Sequence, residues 1–406
     1  MTFSKSRKQV LLLYTTTLFG VFLGILSSIL NTHFLSPEDY GDVRYVQNII
    51  HFVASLLLFG YFLSGSRLLA LSDDEKYSRR IRGSMIVILS IASAVLLLST
   101  FASFFFHSSK PHVAELFLIS LPVCFQPLFL NYVNTTAQGD NQIGRLSAAR
   151  LLPAFFYIPI AYFVYSQYGA SSTKMILLQW GIATIILLSI ILSTRPSFVN
   201  LKPVFRELNK ENKSYGIQLY IGSLVMVATN YLAAIFLGIF NEDNTEVGFY
   251  TLAMTVTSPL STLPAIIGTT YFKKFAKEPR IPSRVMKFTI LMTTGSCILF
   301  ILLIKPIVIL MYSERYAVVG TYASWLAVGY SVHGFGDMIN RYLGSHGQGK
   351  SIRNSSIFNG IFKMFGYIGL VYLWNTNGAL LTNVLCSIIY CISLLYYYRR
   401  FITKTE

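Results

Sequence analysis

The sequence predicts an all-α membrane protein that crosses the bilayer many times, and three observations support this. Of the 406 residues 53% are hydrophobic and only 12% are charged, whereas a soluble domain carries about 25% charged residues. Apolar runs of about 20 residues, the length of a membrane-spanning helix, recur along the whole chain. Lys and Arg fall in short clusters between these runs, so the formal net charge of +16 does not indicate a nucleic-acid partner.

Twelve apolar runs predict twelve transmembrane helices. The polar pieces between them are predicted loops, because irregular backbone cannot face lipid. The first six runs are residues 10–34, 44–66, 83–106, 114–137, 147–168 and 174–194. The second six are residues 216–240, 247–272, 285–312, 317–340, 355–374 and 378–398.

The distribution of Lys and Arg predicts that both termini are cytoplasmic. Cytoplasmic segments of membrane proteins are enriched in these two residues. With the N-terminus inside, each predicted cytoplasmic segment carries more of them than the outer segments beside it, so most of the net charge is a topology signal. The Lys and Arg residues outside the cytoplasmic segments are Arg44, Lys110, Lys174, Lys305, Arg315 and Lys363.

Matching residues at a nearly constant offset indicate an internal repeat of six spans. Gly41 and Gly248, at the starts of the second and eighth spans, are 207 positions apart. Arg67 and Lys274, at the ends of the same two spans, have the same offset of 207. A Gln-Gly turn follows both the fourth and the tenth span, at an offset of 210.

This repeat predicts two six-helix lobes. Because six is an even number, both copies enter the membrane from the same side, and the lobes are related by a pseudo-two-fold axis along the membrane normal. The N-lobe would comprise residues 1–194 and the C-lobe residues 214–406, joined by a cytoplasmic linker, residues 195–213. Apolar residues in the linker are spaced as on one face of a short amphipathic helix.

The sequence predicts no catalytic site, metal site or cofactor. Its spans and loops contain no nucleophile motif, no cluster of metal ligands and no glycine loop that could hold a phosphate. The predicted outer loops are also short, whereas a membrane glycosyltransferase or polysaccharide polymerase usually needs a large outer loop. The pattern therefore favours a transporter over an enzyme.

Basic residues at membrane depth are the candidate substrate contacts. A charge at the centre of a membrane helix costs about 2.5–3.5 kcal/mol on insertion scales, so it usually faces a cavity. For each candidate the alternative is an interfacial anchor whose side chain extends to water. The planar guanidinium of Arg suits a phosphate. The candidates are Arg44, Arg150, Lys305, Arg341 and Lys363.

Asp337 is the one acidic residue well inside a predicted span. Two interpretations remain open for it. Asp337 forms a structural ion pair with Lys363 or Arg341, or its carboxylate couples transport to an ion.

Two turns in the sequence resemble features of a known family. Residues 35–41, Leu-Ser-Pro-Glu-Asp-Tyr-Gly, are similar to the turn after the first span of Wzx-type flippases for O-antigen and exopolysaccharide, members of the multidrug/oligosaccharidyl-lipid/polysaccharide (MOP) exporter superfamily. The turn at Gln138 and Gly139 is similar to theirs as well. The resemblance implies two six-helix lobes, alternating access and a cationic cavity for a polyprenyl-pyrophosphate-linked oligosaccharide.

The resemblance also implies a location and partners. Members of the family that it resembles lie in the bacterial inner membrane and act in the synthesis of O-antigen, lipopolysaccharide and other polysaccharides. Membrane lipids are expected partners, and a polysaccharide polymerase and chain-length proteins are candidate partners.

Three other functions remain open. A MATE-like multidrug or cation antiporter shares the implied fold, but a cationic drug favours acidic cavity residues, and Asp337 alone is available at depth. A peptidoglycan-precursor flippase of the same superfamily typically has 14 spans rather than twelve. A membrane glycosyltransferase or polymerase would need the large outer loop that the sequence lacks.

Overall fold

The structure is a computed structural model that describes residues 5–405, with the side chains of residues 5–14, 222, 223, 226, 228, 273, 404 and 405 left undescribed. Every regular element in this range is helical. The chain forms two compact units, the first ending at Leu224 and the second beginning at Val225. The predicted lobe boundaries at residues 194 and 214 remain a prediction.

The first unit contains nine helices and the start of a tenth. A 3-10 turn, Leu121–Val123, separates α5 from α6, and a π-turn, Asn212–Gly216, leads into α10. Helix α1 packs on α7, α7 on α8, and α3 on α6. The helices are α1 (Lys5–Phe34), α2 (Pro37–Leu56), α3 (Tyr61–Leu71), α4 (Glu75–Phe106), α5 (Pro111–Ser120), α6 (Gln126–Gly139), α7 (Ile143–Tyr168), α8 (Ser172–Ser193), α9 (Leu201–Glu211) and α10 (Ile217–Phe240).

The second unit is built around one glycine-rich helix. Its helices are α11 (Thr245–Thr257), α12 (Pro259–Phe275), α13 (Ser283–Tyr312), α14 (Ala317–Ser345) and α15 (Gly349–Thr405). Helix α14 contacts each of the other four. Gly334 permits this packing, because a Cβ atom there would lie 2.7 Å from the carbonyl oxygen of Ser261 on α12.

The structure supports several membrane crossings but does not confirm the predicted number of twelve. By length and composition, eight helices among the described residues can cross a membrane, or nine if α2 and α3 form one bent span. The difference arises at three further places. Helix α15 holds two predicted spans and breaks at Asn375, where φ is 50° and ψ is −132°. Helix α10 contributes only a short apolar helix, Thr229–Phe240. Helix α14, which packs against other helices, carries glycines and polar residues that lower its hydropathy.

The second predicted span, residues 44–66, is broken where the sequence predicted a continuous helix. Helices α2 and α3 meet at an angle of 61°, and between them Phe59 and Gly60 have φ values of 43° and 78°. A Cβ atom at Gly60 would lie 2.4 Å from the carbonyl carbon of Gly216. The absence of a side chain at Gly60 therefore permits both the left-handed backbone and the close contact with the π-turn.

The backbone groups freed by this break have partners within the same unit. The Nδ2 group of Asn212 donates a hydrogen bond to the carbonyl oxygen of Phe59 at 3.1 Å. The hydroxyl of Tyr220 donates one to the carbonyl oxygen of Leu56 at 2.8 Å. Because lipid cannot satisfy exposed carbonyl groups, these two side chains stabilise the bend.

Each unit contains a hydrogen bond between a hydroxyl group and a carboxylate at an equivalent position of the repeat. In the first unit, Ser172 at the start of α8 donates a hydrogen bond to Asp39 of α2 at 2.8 Å. In the second, Thr376, just after the break in α15, donates one to Glu246 of α11. Asp39 and Glu246 are 207 positions apart, the offset that the repeat predicted. The two-fold relation between lobes remains a prediction.

The predicted linker forms the amphipathic helix α9, and its apolar side packs on protein. Val204 and Leu208 are buried, and α9 contacts α3 and α4. Glu211 pairs with Arg67 at 2.6 Å, and Tyr77 donates a hydrogen bond to Glu207. The residues between the two predicted lobes are therefore fixed to the first unit.

Candidate functional site

Arg44 lies in a polar cluster on α2. Its guanidinium donates a hydrogen bond to Oε1 of Gln47 at 3.0 Å and lies 4.8 Å from the ring centre of Tyr40. Gln47 in turn donates to Gln179 of α8 at 3.0 Å. The Nε atom of Arg44 is buried without a hydrogen-bond partner, and in the described part of the chain no carboxylate pairs with this side chain. Arg44 therefore keeps both a free donor and its charge for a ligand.

Neutral polar residues that the sequence analysis missed lie near Arg44. Its charge interacts electrostatically with the hydroxyls of Tyr157 and Tyr165 on α7, which are 2.9 Å apart. Tyr157 also donates a hydrogen bond to the buried Asn31 of α1. The Nδ2 group of Asn31 has no partner among the described residues. An Asn within an apolar helix was the signal that could have found this cluster.

Arg150, the second candidate in the first unit, contacts α1. It is exposed, and its guanidinium lies 3.4 Å from the hydroxyl of Thr17. Arg150 and Arg44 share no hydrogen-bond partner within residues 15–221. The structure therefore does not join the two predicted arginines through a common hydrogen bond.

Lys363 of α15 is half-buried and weakly held. Its Nζ atom lies 3.5 Å from Oδ1 of Asn230 on α10, the outer limit of a hydrogen bond. Asp337 of α14 is near enough for an electrostatic interaction with Lys363. The ion pair of Asp337 with Lys363 or Arg341, one of the two interpretations left open, is not formed in the described part of the chain; Oδ1 of Asp337 accepts a hydrogen bond from Tyr390.

Tyr390 of α15 organises the surroundings of Asp337. Its hydroxyl donates a hydrogen bond to Oδ1 of Asp337 at 3.0 Å and accepts one from Asn340 at 2.8 Å. The ring of His333 stacks on that of Tyr390 with the ring centres 4.5 Å apart. The second unit thus brings a carboxylate, an imidazole and the amine of Lys363 into one cluster.

The two remaining candidates, Arg341 and Lys305, lie at different distances from Asp337. Arg341 is exposed on α14, one turn beyond Asp337. Lys305 is exposed on α13 and packs its stem on Gly320, where a Cβ atom would lie 3.2 Å from its Cγ atom. Gly320 and Asp337 are 17 residues apart on α14, which corresponds to about 25 Å along a helix. Lys305 therefore lies far from the Asp337 cluster.

Arg82, which the sequence analysis treated as a topology charge, is a structural residue. Its side chain is 4% exposed and its Nε atom lies 3.0 Å from Oδ2 of Asp140, which is 8% exposed. One Nη atom lies 3.1 Å from Glu75 and donates to the carbonyl oxygen of Thr194 at 3.1 Å. Arg82 thus joins the ends of α4, α6 and α8.

The protein is a multi-pass membrane protein, because it has several helices long and apolar enough to cross a bilayer. Polar clusters with cations lie within these helices. Solved transporters share the fold. The chain is similar to the lipid II flippase MurJ in an inward closed conformation, with a TM-score of 0.75 and 17% identity, covering 97% of this chain and 89% of that one. It is also similar to a multidrug resistance MATE family transporter of the MOP superfamily in an inward-facing conformation, with a TM-score of 0.71, 17% identity and 95% of each chain covered.

A third similar structure is that of a MOP superfamily transporter from Pyrococcus furiosus, with a TM-score of 0.62 and 17% identity, covering 98% of this chain and 96% of that one. At these identities the likeness shows the fold alone. No curated protein matches the chain significantly. A family model described as polysaccharide biosynthesis protein matches residues 6–277. The chain therefore belongs to the polysaccharide biosynthesis protein family, which confirms the family to which the turn at residues 35–41 pointed.

Proposed function

We propose that this protein is a flippase. Its cargo would be a polyprenyl-pyrophosphate-linked oligosaccharide, the repeat unit of an O-antigen, capsule or exopolysaccharide, moved from the cytoplasmic to the outer face of the bacterial inner membrane by alternating access. Membership of the polysaccharide biosynthesis protein family and the fold shared with a lipid II flippase support this proposal. A polymerase and chain-length proteins would then take up the repeat unit outside.

The observation that carries the proposal is the presence of unpaired cations in apolar helices. Arg44 and Lys363 lie within α2 and α15 and form no ion pair with a carboxylate among the described residues, although Asp337 is near enough to Lys363 for an electrostatic interaction. A charge in that environment is costly to bury, and its attraction for an opposite charge is stronger than in water. A pyrophosphate carries such charges, and the guanidinium of Arg44 can bind one phosphate through two hydrogen bonds.

A MATE-like multidrug or cation antiporter is the second candidate function, since such a transporter has a similar fold. The charges at depth favour the flippase. A cationic cargo would require free carboxylates, whereas the carboxylate of Asp337 already accepts a hydrogen bond from Tyr390 and interacts electrostatically with Lys363. We assign the flippase function for this reason.

The proposed architecture has twelve spans in two six-helix lobes, with both termini in the cytoplasm. The lobes are residues 1–194 and 214–406, related by a pseudo-two-fold axis along the membrane normal. The hydrogen bonds to Asp39 and Glu246 at equivalent positions support this repeat. The proposed substrate-binding residues are Arg44, Arg150, Lys305, Arg341 and Lys363.

Asp337 is the proposed ion-coupling residue. We expect Asp337→Asn to remove any dependence of glycan export on the pH gradient, because the amide cannot exchange a proton, while the hydrogen bond from Tyr390 is retained. Export would be measured in vesicles with and without an imposed gradient. Unchanged pH coupling in the variant would exclude this role for Asp337.

The sidedness of the lipid-linked glycan tests the flippase function directly. In cells depleted of this protein, we expect the glycan to accumulate on the cytoplasmic face. Intact spheroplasts would be probed with an impermeant lectin before and after lysis, and re-expression of the intact chain is the control. Glycan that becomes accessible only after lysis supports the flippase. Glycan that reaches the outer face normally in depleted cells would refute it and lead to drug-efflux assays.

A further inference from the structure

A basic pocket lies in the first unit where α4 begins and α8 ends. Its volume is about 690 Å³, and four cationic side chains line it together with a short stretch of chain after α8. This basic pocket is formed by Lys76, Arg79, Arg80, Arg195, Pro196, Ser197, Phe198 and Val199.

Most of the positive charge in the basic pocket is not neutralised. Arg79 pairs with Glu75 at 3.3 Å, and both of these side chains are well exposed. Lys76, Arg80 and Arg195 form no ion pair in the described part of the chain. The pocket therefore presents three uncompensated cations to an anion.

The backbone around the basic pocket is held in place. The N–H group of Ser197 donates a hydrogen bond to the carbonyl oxygen of Arg79 at 2.9 Å. Gly83 makes this approach possible, because a Cβ atom there would lie 2.1 Å from the carbonyl oxygen of Ser197. Arg195 has a left-handed backbone, with φ of 49°, just after Thr194, which is fixed by Arg82. Arg195 is thus presented by a built turn, and the other three cations by the first turns of α4.

The basic pocket also lies at the end of two apolar helices. Helices α4 and α8 are both long and apolar enough to cross a membrane, so the pocket is at a boundary between membrane and water. Phe198 and Val199 on its rim are 56% and 73% exposed. Exposed apolar and aromatic side chains are typical of this boundary. A ligand here meets cations on one side and hydrocarbon on the other.

We propose that the basic pocket binds the phosphate headgroup of an anionic phospholipid, with the acyl chains extending beside Phe198 and Val199. Pockets of Lys and Arg at the ends of transmembrane helices bind such headgroups. A free phosphate would use the cations but leave the apolar rim in water. This lipid site is separate from the proposed cargo site and would stand whichever molecule the protein moves.

Lipid binding to the purified full chain tests this inference. Native mass spectrometry in detergent would measure the affinity for the first bound phosphatidylglycerol. Each cation near an anionic headgroup contributes about 1 kcal/mol, or about fivefold in affinity. We therefore expect Arg80→Gln/Arg195→Gln to weaken binding about 30-fold and Arg195→Gln alone about fivefold. Phosphatidylcholine should bind weakly to all variants.

The matched control is Lys202→Gln/Arg206→Gln, which removes the same charge from exposed positions of the neighbouring α9. We expect this control pair to keep the wild-type affinity. Equal weakening in both pairs would show only a diffuse positive surface and would overturn the proposal. Unchanged affinity in the pocket variants would also overturn it. An affinity for inorganic phosphate equal to that for phosphatidylglycerol would show that the apolar rim contributes nothing and would assign the pocket to a free anion instead.

Discussion

Replacing Arg82 with methionine is expected to lower the free energy of unfolding by about 3–5 kcal/mol. Removing one partner of a buried ion pair leaves the other charge uncompensated in a low-dielectric environment, which has a cost of this size. Here the remaining charge is Asp140, only 8% exposed. The substitution also removes the donor to the carbonyl oxygen of Thr194. Thermal unfolding of the purified protein in detergent would measure the loss.

Arg79→Met is the control for this prediction. Arg79 lies one turn before Arg82 on α4 and pairs with the same Glu75, at 3.3 Å, but its side chain is 38% exposed. An exposed ion pair contributes about 0–1 kcal/mol, so this variant should unfold near the wild-type temperature. If both variants lost the same stability, the burial of the Arg82–Asp140 pair would not be the cause.

A second variant separates the ion pair from simple loss of packing. Replacing both partners, in Arg82→Met/Asp140→Asn, removes the uncompensated charge together with its counter-ion. We expect this double variant to be more stable than Arg82→Met alone, because a buried pair replaced as a whole is often nearly neutral. A double variant that is less stable than the single one would indicate that Arg82 acts through packing alone.

The helices were largely predictable because apolar runs alone determine where a chain can enter a bilayer. Breaks within these runs were not predictable, since they depend on residues far away in the sequence. The bend at Gly60 is satisfied by Asn212 and Tyr220, which lie more than 150 positions further along the chain. Similarly, α14 tolerates polar residues because it packs against other helices, and a search for apolar runs does not predict this packing.

Residues of the candidate site were predictable from the sequence only where a charged residue lies within an apolar run. Lys363 and Arg44 were found this way, and the structure places both next to other polar groups. Arg82 was counted among the cytoplasmic charges, because a topology signal and a buried ion pair look the same in sequence. Asn31 was missed because only charged residues were considered as candidates, although a neutral amide in an apolar helix was a usable signal; its buried Nδ2 group has no partner among the described residues.

Lys363→Ala is expected to reduce glycan export about 10- to 100-fold at unchanged protein level. A hydrogen bond to a charged group contributes about 1.5–3 kcal/mol, which corresponds to that range. Among the described residues the amine of Lys363 has one weak hydrogen bond, to Asn230 at 3.5 Å, so little structural stabilisation is lost with it. Lys363→Arg keeps the charge and should retain much of the export. The readout is outer-face glycan on intact spheroplasts, normalised to the amount of protein.

The neighbour of Lys363 offers a sharper test of whether its charge or its packing matters. Asn230→Asp changes the polar contact into a carboxylate that pairs with Lys363 and competes with a phosphate. We expect this substitution to lower export, whereas Asn230→Ala should leave it near the wild-type level. Equal loss of export in Lys363→Ala and Lys363→Arg would argue that the side chain acts by packing. Export unaffected by Asn230→Asp would show that a phosphate does not meet this amine, because a competing carboxylate within hydrogen-bond distance would neutralise it.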